Sequence, residues 1–129
     1  MRFIARAQEL DRLDLPAGAE GGTIRYFKGE AYGVELSLLR VEILPGHGAP
    51  SHTHTYDELF VIHEGTGSYV VGGETLEAGA GDVVVVPAGL PHAFTSVGEG
   101  PLKQTSVHRS PVFAQTVLAP KDEAGKPNK

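Results

Sequence analysis

The chain has no cysteine. That excludes structural disulfides, thiolate metal ligands and a cysteine nucleophile, so any metal site must be built from histidine and carboxylate. Long apolar runs are also missing: nothing approaches the roughly 18 consecutive apolar residues of a membrane span, and no membrane partner is predicted. The first ten residues are broken by Arg2, Arg6 and Glu9, which leaves no apolar stretch of the secretory type and predicts a cytoplasmic address. Positive charge is short as well. Eleven Lys and Arg against 16 Asp and Glu give a formal charge of −5, with no electrostatic reason to expect nucleic acid or anionic lipid as a partner. A small, neutral or modestly charged ligand fits this balance better.

What is abundant is punctuation. Seventeen glycines and nine prolines are scattered among short Val/Leu/Ile-rich runs in 129 residues, the pattern of many short strands joined by tight turns. No segment carries a sustained helical period, so the fold class is all-β. Strands are predicted over 23–27, 34–43, 59–64, 67–71, 74–76, 82–86, 92–96, 102–108 and 112–118. Gly72-Gly73 predicts a two-residue hairpin turn. The unalternating run Val83 to Val86 predicts a strand covered on both faces. With 40% apolar residues, 1–119 suffice for one domain, and 120–129 read as a polar tail with little to bury.

The chemistry is concentrated in the segment from Pro45 to Glu58. Side chains two apart on a strand share a face, so His52 and His54 point the same way, and Glu58 has the same parity. A further histidine, His92, follows the turn Pro87-Ala88-Gly89-Leu90-Pro91. Spacing alone does not say whether it reaches the other three.

These residues resemble the two motifs of the cupin superfamily, G-x5-H-x-H-x3,4-E-x6-G and G-x5-P-x-G-x2-H-x3-N. Gly46, His52, His54, Glu58 and Gly65 match the first, and Gly81, Pro87, Gly89 and His92 match the second, with Ser96 standing where the pattern has Asn. The motif region is 46–96. The resemblance implies a cupin-type jelly-roll barrel of six to eight strands in which His52, His54, Glu58 and His92 bind one divalent transition metal ion. Three neutral imidazoles and a carboxylate suit Fe, Mn, Ni, Cu, Co or Zn without ranking them, and leave positions open for substrate or dioxygen.

Around the four ligand positions, alignment with the family turns Tyr69 inward, where it could donate a hydrogen bond to a metal-bound ligand or sit as a satisfied core tyrosine. Alternation places Gln104, Ser106 and His108 on the face of Leu102; Gln104 is a substrate-contact candidate, and His108, near a strand end, reads as structural or solvated. Phe60, Ile62 and Phe94 read as cavity wall or core, and His47 and His63 as non-ligands. The resemblance implies a metal-dependent enzyme on a small organic molecule, with dioxygenase-type oxidation ahead of isomerase, cyclase or lyase chemistry. The alternative is a non-catalytic binding protein for a sugar or phenolic ligand. It also implies a homodimer with C2 symmetry, toward which the Val83 to Val86 run, Phe3 and Ile4 offer apolar surface.

Overall fold

The structure is a computed structural model describing residues 3–13 and 21–118. The polar tail expected over 120–129 lies outside the described residues. The strands are β1 (Asp11–Leu13), β2 (Gly22–Phe27), β3 (Ser37–Ile43), β4 (Gly48–Thr53), β5 (Glu58–Glu64), β6 (Thr66–Val71), β7 (Glu74–Gly79), β8 (Val83–Val86), β9 (His92–Ser96), β10 (Leu102–His108) and β11 (Thr116–Val117). Helix among the described residues is limited to the 3-10 turns Ala7–Glu9 and Gly29–Tyr32, and no helix is long and apolar enough to cross a membrane.

All pairings are antiparallel. One sheet runs β1-β2-β3-β10-β5-β8 and the other β11-β4-β9-β6-β7. The quartets β3-β10-β5-β8 and β4-β9-β6-β7 form a jelly-roll barrel, and β1, β2 and β11 extend its edges. Burial alternates along β3, β5, β9 and β10, as a period of two requires when one face meets the core.

Register sorts the inward residues into layers. Ser37, His108, Glu58 and Val86 lie opposite one another across one sheet, as do His52, His92 and Val71 across the other. This polar layer sits at one end of the barrel. The next is apolar but for Ser106: Leu39, Ser106, Phe60 and Val84 come from the first sheet, Ala49, Phe94 and Tyr69 from the second. Phe60, Tyr69 and Phe94 pack as a triad with ring centroids 5.3–5.9 Å apart, each pair adding about 0.5–1.5 kcal/mol beyond area burial. Gly67 makes room for the triad. A Cβ there would lie 2.6 Å from the Tyr69 ring.

Several expectations are corrected. The strand predicted from Val34 begins at Ser37, because Gly29–Tyr32 turns first and ends on Gly33 at φ 72°. Of 112–118 only Thr116–Val117 is strand; the preceding residues bond to side chains and turns rather than to a ladder. Strands β1 and β4 were not anticipated, the latter because Gly46, Gly48 and Pro50 read as loop. The Val run is not covered on both faces within the chain. It is the edge strand β8, with Val84 and Val86 buried but Val83 51% and Val85 60% exposed. The Gly72-Gly73 hairpin is present, with both glycines at positive φ between β6 and β7.

Candidate metal centre

The ends of β4, β5 and β9 bring His52, His54, Glu58 and His92 together, all buried, with one potential ligand atom from each lying within 4.8 Å of the others. Each imidazole is fixed by its far nitrogen. Nδ1–H of His52 donates to the Pro50 carbonyl at 2.7 Å, that of His54 to Ala114 at 2.6 Å, and that of His92 to Leu90 at 2.9 Å. A carbonyl oxygen only accepts, so the proton sits on Nδ1 in each neutral ring and the Nε2 lone pair is left free, the tautomer a metal requires.

Those nitrogens crowd one carboxylate oxygen. Nε2 of His92 is 2.9 Å and Nε2 of His54 3.1 Å from Glu58 Oε1. The His54 nitrogen is buried and lacks the alignment of a hydrogen bond. Converging acceptors repel unless a cation is shared among them, so the donor set fits one divalent ion. Burial pushes the Glu58 carboxyl up, but hydrogen bonding from His108, His54 and His92 outweighs it and holds Glu58 well below the usual carboxylate range, the shared proton of the metal-free site standing where a cation would. Burial lowers His52 to about 4, aided by the neighbouring His92 and His54 and opposed by the Pro50 carbonyl and Glu58. At neutral pH Glu58 is therefore ionised and His52 neutral.

His108 belongs to this constellation. The reading as a structural or solvated strand-end histidine understates it: the ring is 1% exposed, with Nε2 3.2 Å from Glu58 Oε2 and Nδ1 2.8 Å from the Tyr56 hydroxyl. Its Nε2 also has no aligned hydrogen-bond partner. The signal was available, since β10 alternation turns His108 inward and its register places it opposite Glu58. Tyr56 was missed too. Its hydroxyl donates to the Ala114 carbonyl at 2.9 Å and accepts from the Ala114 N–H at 3.2 Å, and burial raises its pKa to about 12.

A cavity of about 360 Å³ adjoins the cluster. His52, Glu58 and His108 lie at its polar end, Phe60 and Phe94 line its wall, and Phe113, Gln115 and Val117 reach it from the segment after β10. Ser37 Oγ–H holds that segment at the Ser110 carbonyl (2.8 Å), and the Phe113 N–H donates to the Tyr26 hydroxyl (2.8 Å). Ile62 is buried in the core, away from this lining. Tyr69 donates its hydroxyl to Gln104 Oε1, and both side chains are buried in the layers beyond the cluster. His63 is exposed and bonds Thr105, and His47 lies outside the cluster.

Residues 39–108 match the family profile described as the cupin domain, more than half of the chain. The chain is a cupin. Over 61 residues, 46% of its length, this cupin is 41% identical to a gentisate 1,2-dioxygenase of a Ralstonia species, of which it spans 17%. An uncharacterised protein of Streptomyces coelicolor is 30% identical over 94 residues, 73% of this chain and 87% of that one. Among solved structures, a formate complex of Lactobacillus farciminis oxalate decarboxylase superposes with a TM-score of 0.76 at 24% identity, covering 86% of the cupin and 34% of the decarboxylase. A mutant of the Bacillus subtilis oxalate decarboxylase gives 0.77 at 20% identity, covering 88% and 31%. The Bacillus enzyme is described with Mn(II) centres. At these identities the structural likeness carries the fold.

Proposed function

We propose that this cupin is a metal-dependent enzyme acting on a small organic molecule, with oxidation by dioxygen the favoured reaction and His52, His54, Glu58 and His92 as the ligands. The observation that carries the reading is the set of three histidines locked by Nδ1–carbonyl bonds, their free nitrogens converging on an ionised, buried Glu58. A divalent transition ion supplies a Lewis acid with open positions and, where it is redox-active, reactivity toward dioxygen. The protein's own part is to orient the ligands, to keep water from the site with Phe60, Phe94 and Phe113, and to hold Glu58 through His108. The partial match to a gentisate dioxygenase supports oxidation among the metal-dependent chemistries.

A second reading, a non-catalytic binding protein for a phenolic ligand, is favoured by the apolar lining beyond the cluster. The assembly that goes with either is a homodimer, in which a second copy covers the exposed edge of β8, and the setting is cytoplasmic. Metal content of untagged protein beside His52→Ala, followed by dioxygen uptake with phenols and diketones, tests the function. Near-stoichiometric Fe or Mn, lost in the variant and supporting uptake, is expected. Metal without dioxygen uptake favours isomerase, cyclase or lyase chemistry or the binding protein, and no metal refutes the enzyme reading.

A further inference from the structure

The cavity beside the metal cluster has an uneven distribution of charge. Among the described residues its only lining carboxylate is Glu58, and no lysine or arginine reaches it. The other polar side chains at its surface besides the histidines are Ser106 and Gln115, both uncharged. Leu39, Val41 and Ile43 of β3 face Phe94 and Phe113 across it, so most of the enclosed surface offers no hydrogen bond.

The charge count follows from the ligand set proposed above. Three neutral imidazoles, one carboxylate and a divalent ion leave a single net positive charge. One negative charge on an incoming molecule neutralises it. A second would lie among apolar side chains without a counter-charge, a placement penalised wherever water is excluded. A sugar fails for a related reason, since hydroxyls along its length would lose water and find only Ser106 and Gln115. At ~30 Å³ per water-sized group, the 360 Å³ cavity takes on the order of a dozen heavy atoms.

From this distribution we infer that the cupin takes a neutral or singly anionic molecule with an oxygen-bearing head and an apolar body, and that it discriminates against dicarboxylates and sugars. The head lies at the metal cluster, at the polar end of the cavity formed by His52, Glu58 and His108. The body lies between β3 and Phe113. The inference rests on the metal-site reading and deepens it.

The test is calorimetric titration of the Zn(II)-loaded full chain, an ion chosen so that binding is read without turnover. The probes are benzoate, benzoylacetone, terephthalate, adipate and glucose, with the metal content of the same sample measured alongside. Benzoate and benzoylacetone are expected to bind at least about ten-fold tighter than the other three, or ~1.4 kcal/mol. Gln115 lines the cavity yet is exposed, so Gln115→Lys adds a cation with little effect on folding. In that variant terephthalate gains about ten-fold on benzoate. Terephthalate, adipate or glucose binding as tightly as benzoate to the unaltered protein overturns the inference while leaving the metal reading intact. A chain that takes up no Zn(II) overturns both.

Discussion

Replacing His108 with alanine tests whether Glu58, the carboxylate proposed to bind the metal, is held from behind. Glu58 is 2% exposed, and its two oxygens have different surroundings. Oε1 faces His54 and His92 at 3.1 and 2.9 Å, whereas Oε2 lies 3.2 Å from Nε2 of His108. His108→Ala removes that neighbour from a buried charged atom, which costs about 1–3 kcal/mol of folding stability in the metal-free protein. The ion feels a separate loss, because a carboxylate free to turn about its own axis must be ordered again on binding. Groups that orient metal ligands are typically worth 10–100-fold in affinity, or ~1.4–2.8 kcal/mol. Titration with Zn(II) or Mn(II) reads the second quantity and urea denaturation the first. Tyr56→Phe acts partly through His108 and partly through Ala114, so its effect should shrink in the double variant to the part carried by Ala114. Affinity of His108→Ala within two-fold of the parent, or a Tyr56→Phe effect that adds in full, refutes the reasoning.

Three further outcomes are expected. The metal-free protein should lose stability as pH falls from about 6.5 to 4: His52 titrates near 4 when folded and near 6.5 when unfolded, so the unfolded chain binds more protons across that window. The loss is on the order of 3 kcal/mol and shrinks in His52→Ala, as urea midpoints at successive pH values will show. Tyr69→Phe should cost about 1–3 kcal/mol by leaving Gln104 Oε1 buried without its donor, and adding Gln104→Leu should recover most of that in chemical denaturation. The chain should sediment as a dimer and Val85→Glu as a monomer, because Val85 is 60% exposed on an edge strand; a monomeric parent ends that expectation.

Much of the centre is legible in linear order, since His52, His54 and Glu58 share parity and the turn around Gly89 places His92 on the next inward position. Parity also turns Gln104 and His108 inward. It does not give register, and the role of His108 is a matter of register: only pairing of β10 with β5 sets it opposite Glu58. Strand β4 was hidden by its own glycines and proline, although Gly48 is required there by the Phe94 carbonyl, which a Cβ would approach to 1.9 Å. The Val83 to Val86 run misled because an apolar sequence records what a face tolerates, whereas coverage depends on which strand lies at the sheet edge. The segment after β10 reads as a strand over 112–118, but before Thr116 tyrosine hydroxyls rather than a ladder satisfy part of its backbone, which no local pattern announces.

The three histidines of the centre are anchored to main-chain oxygens, those of Pro50, Leu90 and Ala114. A main-chain anchor survives a change of side chain. The segment that carries Ala114 also carries Phe113, Gln115 and Val117, which face the ligand cavity. Exchange of those three side chains can therefore retune what the cavity admits while the same peptide group continues to aim His54. In this barrel selectivity and metal retention are separable traits written on one short stretch of chain, so libraries randomised at positions 113, 115 and 117 should yield new ligand preferences at undiminished metal occupancy.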